Sequence, residues 1–177
     1  MTTKTYTLFL ASSDKISGTN NNATFIINFD SFIPRNYDAY SLSFSFNATA
    51  GYYKDTNNTI VYSHARIILD TIGRSFTYDT SRSGPSTTIG FANREPSTAN
   101  SNTNGFNCFF NYNPPITISR PTQSQLTVKI YNVQTNTFLV DTNTTGTTPQ
   151  ADMTPWILSI NLTLILESKQ KRLLTDE

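Results

Sequence analysis

The stretch WILSINLTLILE, residues 156–167, carries a large apolar residue at every second position. Trp156, Leu158, Ile160, Leu162, Leu164 and Leu166 fall on one side, and Ser159, Asn161, Thr163 and Glu167 on the other. Successive side chains of a β-strand point to opposite faces, so an apolar period of two predicts a strand covered on one face only. Twelve such residues make it a long strand, expected near the centre of a sheet. In RPTQSQLTVKIYN (120–132) a proline breaks structure, and the same alternation follows: Leu126, Val128 and Ile130 against Thr127, Lys129 and Tyr131. YSLSFSFNA (40–48) sets Tyr40, Leu42, Phe44 and Phe46 against Ser41, Ser43 and Ser45, a serine face turned to solvent or a partner.

Working outward, β-branched and aromatic content marks further strands in TYTLFLA (5–11), TFIINF (24–29), ARIILD (65–70), SFTYD (75–79), TIGFA (88–92), NCFFNY (107–112), ITIS (116–119) and TFLVD (137–141). Clusters of Ser, Thr, Asn, Gly and Pro separate them, the longest spanning 80–105 and 141–155. No window carries a helical period; SKQKRLL near the C-terminus is the best helical piece, and a turn is expected within 30–40. Many strands and no helix predict an all-β fold, an antiparallel two-sheet sandwich, with the single jelly roll as its leading form. The apolar face of Leu126, Val128 and Ile130 is then expected to pack on the inner face of a second sheet that holds 156–166 or YSLSFSF. Residues 1–167 form one jelly-roll domain in this reading, and residues 168–177 a basic C-terminal tail.

A chain of 177 residues buries roughly 70% of its unfolded surface, enough for a core without staples. Cys108 is the only cysteine, so no disulfide forms within the chain, and its setting reads as a buried small hydrophobe. The apolar run Leu8–Ala11 is too short for a signal peptide or a membrane span, which predicts a soluble protein made in the cytosol. A net charge of +1 provides no field to gather nucleic acid.

The distinctive feature is uncharged polarity. Thr, Asn and Ser number 29, 19 and 18, whereas charged residues are 14%. Hydroxyls and amides lose water more cheaply than charges do, so such surfaces suit packing against other proteins; secreted adhesins and lectins share the composition. Five N-x-[ST] sequons, at Asn22, Asn47, Asn57, Asn143 and Asn161, match the number that chance gives at this Asn and hydroxyl content.

Chemistry is hard to find. The single histidine, His64, has no G-x-S-x-G to serve, and one His with one Cys does not make a zinc site. Asp14, Asp30, Asp38, Asp55 and Asp70 stand at strand ends or turns, where Asp caps and turns the chain, and no calcium loop is present. No phosphate loop or dinucleotide fingerprint occurs, so no cofactor or metal is expected. Tyr52, Tyr53, Tyr112 and Tyr131 are expected at strand ends or on outer faces, as a protein interface, edge residues or a sugar platform.

YTLFLASSDKISGTNNNATFIINF (6–29), NPPITISRPTQSQLTVKIYN (113–132) and WILSINLTLILE together resemble the small single jelly-roll capsid proteins, minor capsid or penton type, of large icosahedral nucleocytoplasmic double-stranded DNA viruses. The likeness covers nearly the whole chain as an order of strand, polar loop and Pro-Thr turn; 52–105 adds little to it. It implies a structural role without catalysis in the virion. The partners would be the major capsid protein and other minor capsid proteins, or further copies of the chain, as a pentamer if it is a penton. No specific nucleic acid is implied, and assembly would take place in host cytoplasm. Lys169, Lys171, Arg172, Leu173 and Leu174 of the tail are the expected interface residues, laid on an acidic or apolar patch of a neighbouring subunit. A carbohydrate- or receptor-binding jelly roll and an enzyme on a sandwich scaffold remain as alternatives.

Overall fold

In the computed structural model, residues 4–53, 62–70, 72, 77–79, 84–95, 104–142 and 152–165 are described. The strand that begins at Trp156 runs to Leu164 (β12) and is paired along both sides. On one side lies β1 (Thr5–Ala11), on the other β4 (Ala39–Gly51), both antiparallel to it. The far side of β4 is shared: β10 (Ile116–Ser119) pairs with its first residues, and β9 (Asn104–Cys108) with its second half. A second group has the order β3 (Asn22–Ile26), β11 (Gln125–Asn132), β5 (His64–Asp70), β8 (Thr88–Arg94), with the short β2 (Ser17–Thr19) outside β3. A separate small hairpin joins β6 (Thr77–Asp79) to β7 (Gly84–Ser86).

The two groups stack face to face, as an all-β antiparallel sandwich. Leu126, Val128 and Ile130 are fully buried, and so are Leu158, Ile160 and Leu162 across from them in one continuous core. Contact between the layers is direct. Phe25 of β3 meets Trp156 of β12 edge-on at 6.0 Å, and Trp156 lies 5.9 Å from Phe46 of β4. Gly90 of β8 passes under β4: a Cβ there would fall 2.8 Å from Phe44 Cε1 and 2.6 Å from the Asn113 amide, at a φ of +151° that L side chains rarely adopt. Asn113 is close because it reads the backbone of Phe91 as a strand would, accepting from its N–H at 3.0 Å and donating to its C=O at 2.8 Å.

The layers are not separate sheets. β9 also pairs with β8 through Asn93 and Arg94, so ten strands form one hydrogen-bonded sheet folded over on itself. Along the opposite side β1 and β3 are not joined to each other or through any other described strand.

Several expected bounds shift. Alternation in TFIINF ends at Ile26, and Phe29–Phe32 (α1) is a helical turn capped by the Asn28 side chain. In NCFFNY the strand ends at Cys108; the next residues turn, with Tyr112 N–H donating to Phe109 O at 2.9 Å and both rings exposed. Within TFLVD only Phe138 forms a bridge, to Tyr131, although Leu139 is fully buried. β2 emerges from a stretch read as a loop, because Gly18 at φ +85° lets it fold back on β3. ARIILD carries no alternation because both its faces are covered, and all of Ala65, Arg66, Ile67, Ile68 and Leu69 are buried. The tail read as helical lies outside the described residues.

Phe44→Ala and Leu162→Ala are expected to destabilise by about 2–5 kcal/mol each, and Ser43→Ala by less than about 0.5, in chemical denaturation. Gly90→Ala is expected to cost about 1–3 kcal/mol from backbone strain alone, with the contact on Phe44 added to it.

Candidate interaction surface

The outward faces of the two layers differ in charge. On β1, Thr5, Thr7, Phe9 and Ala11 point outward; on β12, Ile157, Ser159, Asn161 and Thr163; on β4, Ser41, Ser43, Ser45 and Asn47; on β10, Thr117 and Ser119. None of these is charged. The registers align them in rows: Thr7 and Ser43 flank Asn161, and Phe9 and Ser45 flank Ser159. Cross-strand hydrogen bonds hold the polar groups in place, Thr5 Oγ1 to Thr163 Oγ1 at 3.0 Å and Thr7 Oγ1 to Asn161 Oδ1 at 2.8 Å, so little side-chain entropy is left to lose on contact. Two apolar side chains stand out of the rows, Phe9 at 71% exposed and Ile157 at 56%. They are diagonal neighbours across the β1–β12 pair, because Phe9 opposes Ser159 and Ala11 opposes Ile157. A pocket of about 260 Å³ opens at the Ile157 end, between Thr49, Pro155 and Ser13.

The opposite face is charged and partly covered. Lys129 pairs with Asp70, and Arg66, only 3% exposed, donates to Asn136 Oδ1 at 2.6 Å with its guanidinium 5.9 Å from the Tyr131 ring. Phe138 stacks on Tyr131 at 4.7 Å. Of the four tyrosines expected at strand ends or on outer faces, Tyr53 departs from the expectation. Tyr53 is a core residue: fully buried, edge-on to Phe106 at 4.9 Å, its hydroxyl 2.5 Å from Thr154 Oγ1 and pushed up to about 12 by burial. Tyr112 is exposed at the end of a turn with its hydroxyl on Asn93, and Tyr131 turns one ring face to Phe138.

The residues with chemical potential are dispersed. Burial pushes the Cys108 thiol up to about 12, outweighing a backbone hydrogen bond from Phe46. His64 is exposed, with Nδ1 2.7 Å from Ser63 Oγ and no described carboxylate bonded to it. Asp30 accepts from Arg120 at 2.5 Å and from Arg35 at 3.1 Å; the Arg120 bond, with both positive charges, holds its carboxyl below the usual range and ties α1 to the segment after β10. Among the described residues no three His, Cys, Asp or Glu side chains group to hold a metal ion, and no helix is long and apolar enough to cross a membrane. Lys169, Lys171, Arg172, Leu173 and Leu174 lie outside the described residues.

Each strand's polar side was legible singly, the serines of β4 above all. Their union into one uncharged face was not, because β1, β12 and β4 are far apart in sequence. No protein-family model matches the chain, and a search of curated proteins finds no significant match.

A thiol held protonated in the core does not react. Cys108 is expected to resist maleimide labelling in the native protein at neutral pH and to label fully once the chain is unfolded, as mass spectrometry will register.

Proposed function

We propose that the chain is a structural protein of an icosahedral virus capsid, of minor capsid or penton type, which binds neighbouring capsid proteins and stabilises the shell without catalysing a reaction. The observation that carries this reading is the uncharged outer face of β1, β12, β4 and β10. Interface centres are depleted in charge, and a face of hydroxyls and amides with two apolar studs loses its water at low cost. At roughly 4.8 Å between strands and roughly 3.3 Å per residue, the four strands, of 7, 9, 13 and 4 residues, present on the order of 500 Å². That is most of the roughly 800 Å² each partner contributes to a stable interface. The charged opposite face would then be turned to solvent.

The connectivity favours the same reading. With β2, β9 and the β6–β7 hairpin set aside, successive strands alternate between the layers except at β5 and β8, which lie side by side: β1, β12, β4 and β10 are in one layer and β3, β11, β5 and β8 in the other. We read this as a single jelly roll, the form that the resemblance of 6–29, 113–132 and 156–167 to small capsid proteins implies. The partners are the major capsid protein and other minor capsid proteins, or four further copies if the chain is a penton. The site of action is the virion, assembled in host cytoplasm.

The test is incorporation into particles assembled with the other capsid proteins of the same virus. Ser43→Lys and Ile157→Lys place a charge on the face; thermal unfolding is expected to stay within the range of surface substitutions while incorporation falls at least tenfold. Thr127→Lys on the opposite face is the control and is expected to incorporate normally. Equal incorporation of all three would overturn the reading. Deleting residues 169–177 is expected to leave stability unchanged and to weaken incorporation, whereas normal incorporation would remove the tail from the interface.

A further inference from the structure

We propose that the free edge of β1 is a docking site for an extended segment of a partner protein, which adds to the sheet as one more strand. This does not depend on the capsid reading, since it concerns an edge and a groove rather than the outer face.

The backbone supplies the first observation. Leu164 N–H donates to Lys4 O, which makes Lys4 and Leu164 a hydrogen-bonded pair. Antiparallel pairs alternate, so Tyr6, Leu8 and Leu10 bond to β12 in turn, and the N–H and C=O groups of Thr5, Thr7 and Phe9 point the other way. No described strand lies there, because β1 has β12 as its single neighbour. Proteins normally blunt such edges with charge, proline, a bulge or brevity. β2 is blunted, being three residues long with Gly18 at φ +85°. β1 has none of these devices: Thr5–Ala11 holds no charged residue or proline, and its register with β12 runs unbroken.

The second observation is the groove beside that edge. Where β1 and β3 fail to join, a groove of about 450 Å³ runs between them, floored by Leu8, Leu10, Phe25, Ile27 and Phe32. Its lips are large exposed apolar side chains, Phe9 on one side and Ile16 and Ile26 on the other, at 71%, 54% and 66% exposure.

A strand bonded to β1 would continue the first layer, and its side chains would alternate between the groove floor and the outer surface beside Phe9. Its occupant therefore needs apolar residues at every second position. Among the described lining residues the one charged group is Asp14, whose carboxylate accepts from Ser13 Oγ at 3.0 Å, so an acidic residue at that end is disfavoured and a basic one favoured. The β1 of a second copy does not meet this need. Its inward residues are committed to its own core, with Tyr6 against Phe32 and Leu10 buried, and have nothing left to fill the groove.

The experiment pans a displayed library of random dodecapeptides on the full chain and titrates the recovered peptides as synthetic probes. The expected peptides have apolar residues at alternate positions, and their binding slows hydrogen exchange at the Thr7 and Phe9 amides of the unmodified protein. Thr7→Pro removes an outward N–H without touching the β12 bonds and is expected to weaken binding at least tenfold, whereas Thr7→Ala, which keeps the N–H, stays within about threefold. Methylating alternate peptide nitrogens is expected to abolish binding. Recovery of no binder, or binding that leaves exchange at Thr7 and Phe9 unchanged, would overturn the proposal. So would self-association of the chain that Thr7→Pro abolishes, which would assign the edge to a second copy.

Discussion

Trp156 holds the layers in place. The residue opens β12, and its own N–H donates to Ser12 Oγ at 3.0 Å while its indole N–H donates to Asn20 O at 2.5 Å. Its ring fills the space between Phe25 of one layer and Phe46 of the other. One residue thus ties the turn after β1, through its backbone N–H, and the β2–β3 turn and both layers, through its side chain, to the first position of the strand that sets the register of β1 and β4. A shift of β12 by one residue would carry Trp156 to the outer face and break all of these contacts at once, so the register is specified far more strongly than backbone pairing alone would specify it.

The same end of the sandwich is laced by polar groups bonded across segments far apart in sequence. The buried Asn21 donates its side-chain amide to Leu139 O at 3.0 Å and its N–H to Asp152 Oδ1 at 3.0 Å, and its C=O accepts from Ile130 N–H at 2.9 Å. Asn20 donates to Met153 O at 2.8 Å, and Asp141 N–H to Asp152 O at 2.9 Å. Buried amides left without such bonds would be costly, so the network locks the β2–β3 turn against the segments before β12 and after β11. The asparagine-rich composition therefore has two uses. Part of it wires the end of the sandwich, and part of it covers the outer face.

That division explains how a chain with so few charges has two unlike surfaces. Lys129, Asp70 and Arg66 lie on the layer of β3, β11, β5 and β8, and the outward residues of β1, β12, β4 and β10 are hydroxyls, amides, Ala11 and the two large apolar side chains Phe9 and Ile157. β9 closes one side of the sandwich by pairing with both β4 and β8, which leaves the side between β1 and β3 as the open one. Polarity and openness are thus set by different elements, the first by the residues on alternating positions and the second by which strand ends can meet.

Alternation in Leu126, Val128 and Ile130, in Tyr40 to Phe46 and in Trp156 to Leu162 by itself marked three strands covered on one face and the residues that each sends into the core, because a period of two buries one side of a strand. The sequence also carried the absence of any motif for metal or nucleophilic chemistry. Tertiary structure decided the rest. Ile157 and Phe9 stand exposed, and Tyr53 is buried, through neighbours that no local window contains. Arg66 is buried on β5 against the Tyr131 ring and the Asn136 side chain, which lie far from it in sequence. The uncharged face exists only because hydrogen bonding places residues 5–11, 157–163 and 41–47 side by side, and pairing across such separations is settled by the packing of the whole core rather than by any segment's own preference.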